Sequence, residues 1–326
     1  MDNWSPLSPS PDLSNQTITS IPEPPRRNIV FYNDRGLRSG WRILIYILMV
    51  AFFSTSITLV AHKIHPRSPA HGLPTPLEMM VSEVISFLLV FGCALIMAKV
   101  ERRSAGVYGL PLSGAFGKNF WLGMLFGLVE ISLLMALISA FGGYSFGGLA
   151  LTPAGIVRWG LFHLVFFTFV GFFEEFTFRG YLQFTLADGI GFWPAGILLS
   201  LLFGAVHLGN PGEGWVGAAS VVLVGLFFVF TLDRTGNLWY AVGLHASFDW
   251  GETFLYSVPN SGTVMDGHLS NSLLHGPKWL TGASVGPEGS VFCFLTMALQ
   301  FLVVMWLFPK RKTISNSPVA LEERAA

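Results

Sequence analysis

The chain has 326 residues, of which 52% are hydrophobic and 12% charged, and its formal net charge is zero. A soluble globular domain is about one-quarter charged, so this composition excludes an ordinary soluble protein and points to an integral membrane one. No basic excess is available to hold nucleic acid, and the two cysteines, Cys93 and Cys293, each in an apolar run, give no disulfide framework and read as packed thiols.

In chain order, residues 1–28 are rich in Ser, Pro, Asn and Asp. They lack the apolar stretch of a signal peptide and read as a disordered tail. Residues 29–74 read as an interfacial lead-in and a first transmembrane helix, and residues 75–257 as the main helix bundle. Residues 258–289 read as a long extracytoplasmic loop, and 290–326 as a last transmembrane helix with a basic tail. A span needs about 20 mostly apolar residues. Eight segments qualify: 41–61, 77–99, 120–141, 157–185, 192–208, 215–232, 238–257 and 290–308. Their apolar runs are continuous rather than alternating, which excludes a strand barrel. The expected fold is all-α, a polytopic transmembrane bundle of about eight spans.

Loop charge sets the expected orientation. Arg26, Arg27, Arg35, Arg38 and Arg42 precede the first span, and Lys99, Arg102, Arg103 and Lys118 lie between the second and third. Arg234 lies between the sixth and seventh, and Lys310, Arg311 and Lys312 follow the eighth. An even number of spans puts all of these on one side, against Lys63, Arg67, Arg158 and Lys278 on the other, so both termini are expected to be cytoplasmic. Gly123 and Gly127 have small-xxx-small spacing, and with Gly196 and Gly204 they allow close helix approach. No internal repeat of the kind that builds many transporters is present.

Three apolar segments carry polar groups. The first holds Glu174, Glu175 and Arg179, charges that are expensive inside a membrane and therefore point to function. Glu175 and Arg179 are four residues apart and share a helix face; paired, they can be buried together. Glu174 is rotated by roughly 100° from Glu175, so it is expected to face a water-filled cleft as a base for water. In the next segment Phe203 and His207 are four apart, which lets the ring pack beside the imidazole. In the seventh, His245 and Asp249 share a face, where they can bind a substrate oxygen, hold a metal, or fix each other's orientation. Glu252, seven residues past His245, is expected to be secondary.

Glu83 and Glu130 interrupt the second and third spans; they either line the same cavity or are protonated and hydrogen-bonded to neighbours, and the second reading is preferred. His163 precedes Glu174 by three turns, about 16 Å along the helix, outside the site. His62, His65, His71, His268 and His275 fall in connecting loops and read as solvated.

Together these residues resemble the CPBP family, the CAAX-protease and bacteriocin-processing group of intramembrane proteases. The family pattern is EExxxR, then FxxxH, then HxxxN or HxxxD, on successive helices. This chain has Glu174-Glu175-x-x-x-Arg179, Phe203-x-x-x-His207 and His245-x-x-x-Asp249. The resemblance spans roughly 75–260 and is strongest from 157 to 250. The ERR stretch Glu101–Arg103, before YGLP, also looks like the family's cytoplasmic loop. The resemblance implies peptide-bond hydrolysis in the membrane. Glu174 would be the general base with His207 as its partner, His245 would donate to the oxyanion, and Asp249 would assist or orient His245. Phe203, Glu175 and Arg179 would support them. An ionised Asp249 cannot itself donate a hydrogen bond.

By residue type Glu174, His207, His245 and Asp249 are also possible zinc ligands; the reading preferred here needs no cofactor, with zinc as the alternative. The implied partners are membrane lipid and a peptide or protein substrate, membrane-associated or prenylated, and the implied location is a bacterial plasma membrane. Two other readings use the same features: a non-catalytic immunity or scaffold protein of the same fold, and a proton-coupled transporter with Glu174 and the histidines as relay.

Overall fold

The structure is a computed structural model that describes residues 30–33, 36–64 and 74–310. The expected tail at 1–28, the basic residues Arg26, Arg27, Arg35, Arg67, Arg311 and Lys312, and His65 and His71 lie outside the described residues. The chain divides into two units after Arg38. In the first, β1 (Tyr32–Asn33) pairs antiparallel with β2 (Gly36–Leu37), and the Arg38 amide donates to the Phe31 carbonyl at 2.9 Å.

The second unit is a helix bundle, and each of the eight expected spans is helical in it. The helices are α1 (Ser39–Ile64), α2 (Pro76–Glu101), α3 (Lys118–Ala140), α4 (Pro153–Arg179), α5 (Tyr181–Ile190) and α6 (Phe192–His207). They are followed by α7 (Trp215–Thr235), α8 (Trp239–Trp250), the short α9 (Lys278–Thr281) and α10 (Val291–Leu307). Local chemistry explains several boundaries. Thr75 and Glu78 form a capping box ahead of α2, with Pro76 in the first turn, which satisfies amides the helix leaves open. Thr152 accepts from the Gly155 amide at 3.2 Å, with Pro153 opening α4.

Among the described residues five helical stretches are long and apolar enough to cross a membrane: α1, α2, α3, the α4–α5 run Pro153–Ile190, and α7. The other three expected spans are shorter helices. Helix α6 has 16 residues and α10 has 17, about 24–26 Å at 1.5 Å per residue. Helix α8 has 12, followed by a π turn at Gly251–Leu255. That short helix is the centre of the bundle, packed mainly on α3 and α4 and almost wholly buried. A helix enclosed by protein need not match the bilayer thickness, because its ends meet protein groups rather than lipid.

Small residues set the tight crossings. A Cβ on Gly123 would strike the Tyr240 carbonyl of α8, and one on Gly127 the Leu244 carbonyl and Ser247 hydroxyl. Gly196 and Gly204 likewise face Val229 and Val222 of α7. Where α1, α2 and α5 meet, Arg42 pairs with Glu101 and, at 2.8 Å, with Asp188. Arg103 also reaches Asp188 at 2.8 Å, while the Tyr108 and Tyr181 hydroxyls donate to Glu101 at 3.0 and 2.7 Å. The ERR stretch thus anchors these helices to one another.

The segment 258–289, expected to be a plain loop, is folded. Its β4 (Leu273–Leu274) pairs antiparallel with β3 (Tyr144–Ser145), and it carries α9 and a tight turn at Asn260–Thr263. His268 is half-buried there, its Nδ1 3.1 Å from the Met265 carbonyl, rather than solvated. His275 and His62 are exposed.

Candidate active site

Helix α4 runs unbroken through Glu174, Glu175 and Arg179 because its interruption, Gly180, comes only after them. Glu175 and Arg179 are both fully buried, and Arg179 Nη1 lies 3.5 Å from Glu175 Oε1. The guanidinium also sits over aromatic rings. Its Cζ is 4.4 Å from the Phe203 ring centre and 5.6 Å from that of Phe228, distances at which a desolvated cation is attracted by the π face. Glycine at 225 makes the room: a Cβ there would lie 2.6 Å from Arg179 Nη2.

His245 joins the pair from α8. Its Nδ1 lies 3.0 Å from Glu175 Oε1. The carboxylate of an ionised glutamate only accepts, so Nδ1 carries the proton. Nε2 lies 3.4 Å from Asp249 Oδ2 and 3.7 Å from Glu174 Oε2. The imidazole face stacks on Phe228, centroids 5.6 Å apart and planes 13° from parallel. Close approach of α4 and α8 at Gly171, where a Cβ would be 3.1 Å from the Val242 carbonyl, brings the two helices near enough for these contacts.

His207, at the end of α6, is held differently. Its Nδ1 is 2.8 Å from the Phe203 carbonyl; a carbonyl only accepts, so Nδ1–H donates and Nε2 is left as the lone-pair nitrogen of the neutral ring. Phe203 packs edge-on against the imidazole at 4.5 Å, as its spacing predicts, and also covers Arg179.

A cavity of about 410 Å³ joins these groups. Glu174, His207, His245 and Asp249 all line it, whereas Glu175 and Arg179 lie behind its wall. Glu174 lies 3.7 Å from His245 Nε2 and faces the same cavity as His207. Glu83 and Glu130 also line the cavity, the less favoured of their two expected placements, and the Glu130 carboxylate is buried. Glu252 is 1% exposed, inside the π turn that follows α8, and does not line the cavity. His163 is outside the cavity, bonded to the Asp266 carbonyl at 3.0 Å, as its distance from Glu174 predicts. Cys93 and Cys293 are free and buried, and Cys293 touches the cavity.

Four contributors carry no sequence signal of their own: Phe228 and Gly225, hidden in an apolar run, and Asn260 and Glu288, in the segment beyond α8. A zinc site usually takes three protein ligands around one centre. Among the described residues no three His, Cys, Asp or Glu side chains are grouped in that way, so the expected alternative ligand set does not fit as a preformed site.

Residues 156–251 match the family model described as Type II CAAX prenyl endopeptidase Rce1-like. The match supports assigning this stretch to the CAAX-protease (CPBP) family. The match contains all three motif pairs and the helices α4 to α8 that carry them. No curated protein and no solved structure matches the chain. The match and the long apolar helices together support an integral membrane protein of the CAAX-protease kind.

Proposed function

We propose that the chain is an intramembrane endopeptidase in which Glu174 is the general base. Water sits between Glu174 and His207 Nε2. Glu174 takes its proton while the oxygen attacks the scissile carbonyl carbon. The carbonyl electrons move onto oxygen, and the tetrahedral intermediate collapses as the C–N bond breaks. The proton held by Glu174 passes to the leaving amine, which leaves a free carboxyl and a free amino terminus. His245 is the electrophilic partner. Its Nδ1–H is held by Glu175, and with Nε2 protonated it donates from that atom to the developing oxyanion. Asp249 orients it from 3.4 Å. Donors fixed in place before charge develops contribute more than any other single factor in many enzymes.

The observation that carries this reading is the division between two adjacent glutamates. Glu175 is fully buried and bound to Arg179 and His245, while Glu174 is 26% exposed on the cavity side with His207 sharing that cavity. One is held as a support and the other is left available for proton transfer. The cavity wall is largely apolar, with Phe166, Phe167, Val170, Val224 and Met297 on it, which supports a membrane-associated substrate, prenylated polypeptides included. A bacterial plasma membrane is the proposed location.

Glu174→Gln tests the proposal. The amide keeps the shape and removes the base, so cleavage should fall by about 10²–10⁴-fold with the unfolding midpoint unchanged. Cleavage of a prenylated peptide at the wild-type rate by a folded Glu174→Gln protein would exclude this mechanism.

A further inference from the structure

Asp249 sets a chemical problem. Its carboxylate is 3.4 Å from His245 Nε2, beside the place where negative charge develops in peptide hydrolysis. An ionised carboxylate there accepts hydrogen bonds and offers none. A second donor is needed next to it if the oxyanion is to be held by more than one group.

The segment after α8 supplies one. Asn260 lines the same cavity as Glu174, His207, His245 and Asp249, and its carboxamide faces the Asp249 carboxylate. Its Nδ2 is buried and, besides the Asp249 carboxylate it faces, has no hydrogen-bond partner among the described residues, so one of its two N–H groups is open to the cavity. Nearly all buried donors in native proteins are paired, and an unpaired one calls for an explanation.

The backbone under Asn260 is fixed. Its amide donates to the Thr263 carbonyl at 2.9 Å, and the Thr263 amide returns a bond to the Asn260 carbonyl at 2.8 Å. The two residues between, Ser261 and Gly262, have φ of 45° and 80°, the conformation of a tight two-residue hairpin turn with both central residues left-handed. The tip of the turn is tied down as well. The Ser261 amide donates to Glu288 Oε1, and the Gly262 amide to the Val285 carbonyl at 2.8 Å. The Glu288 carbonyl in turn accepts from the Ser220 hydroxyl of α7 at 2.7 Å. A loop held at both its base and its tip presents the Asn260 side chain from one position.

We infer that Asn260 is a catalytic donor of this site: its Nδ2–H bonds the carbonyl oxygen of the scissile peptide as that oxygen gains charge, beside Asp249 and together with His245. The inference rests on the endopeptidase reading above.

The test uses the full-length protein in proteoliposomes and a quenched fluorescent peptide carrying a farnesylated cysteine. Asn260→Ala, and the near-isosteric Asn260→Asp that keeps the turn but removes the donor, should each lower kcat by about 10²–10³-fold. KM should stay within about threefold, because a bond made only in the transition state leaves substrate binding alone. Asp249→Asn introduced into the Asn260→Ala background places an amide at the neighbouring position and should recover at least about tenfold in kcat. Either Asn260 variant cleaving within about threefold of wild type overturns the inference. So does a low kcat in both variants with no recovery on adding Asp249→Asn, which makes Asn260 a structural residue only. Glu174→Gln run alongside separates the two levels: if it remains active the endopeptidase reading itself falls, and if it is inactive while Asn260→Ala is active only the role of Asn260 falls.

Discussion

Replacing Arg179 with alanine probes how the site is held. The guanidinium is fully buried, 3.5 Å from Glu175 and over the Phe203 ring. Removing it leaves Glu175 buried with His245, at 3.0 Å, as its remaining polar partner among the described residues. Breaking a buried pair from one side costs about 3–5 kcal/mol, mostly because the other charge is stranded. Loss of the desolvated cation–π contact adds about 2 kcal/mol. The retained bond to His245 offsets part of this, so the net loss should be about 3–4 kcal/mol. Removing both charges behaves differently. In Glu175→Gln with Arg179→Met no charge is stranded and the volume is kept, so that double variant should be more stable than Arg179→Ala by at least about 1 kcal/mol. It should still be inactive, since His245 loses the carboxylate that fixes its Nδ1 proton. Reversible unfolding in mixed detergent micelles, read by tryptophan fluorescence, measures the order. An Arg179→Ala protein as stable as wild type, or a double variant less stable than Arg179→Ala, would refute the idea that the pair is a mutually dependent support.

Two further outcomes follow from the same geometry. Gly225→Ala puts a methyl 2.6 Å from Arg179 Nη2 and 3.0 Å from Ser200 Cβ; overpacking of this kind costs about 1–3 kcal/mol, and activity should fall with stability because Arg179 is displaced from Glu175. Thermal unfolding of the variant beside its cleavage rate checks both. Because no three of the candidate ligands are grouped for zinc, treatment with a strong chelator should leave cleavage of the farnesylated peptide within about twofold of the untreated rate, whereas a catalytic zinc site would lose activity on chelation and regain it on adding zinc.

The architecture was legible in the sequence because a membrane leaves few choices. Continuous apolar runs of span length must satisfy their own backbone groups, and helices do so; every one of the eight segments is helical. The four glycines expected at close crossings lie at such crossings because only the absence of a side chain lets two backbones approach. The pairing of Glu175 with Arg179, the packing of Phe203 on His207 and the His245–Asp249 contact were each visible for one reason: four residues make roughly one helical turn, so the partners share a face whatever surrounds them.

Contacts between helices were not legible in this way. Spacing along α4 and α8 could not say that His245 Nδ1 binds Glu175 while Nε2 lies between Glu174 and Asp249, since that depends on how closely the helices cross at Gly171. Nor could it fix which of the polar groups on different helices share one cavity, as Glu174, His207, Glu83 and Glu130 do. The length of α8 was misjudged because apolarity marks burial, and a helix buried in protein is as apolar as one in lipid. Asn260 lies in a stretch with no helical period at all. Its position comes from a hairpin turn tied to Glu288 and Val285, contacts more than twenty residues apart in the chain. Sequence thus determined which elements form and which neighbours within a helix meet, because those follow from local geometry and the solvent. Which side chains share one cavity was decided by the packing of α4, α6 and α8 and the segment beyond them, because non-local contacts depend on the whole bundle at once.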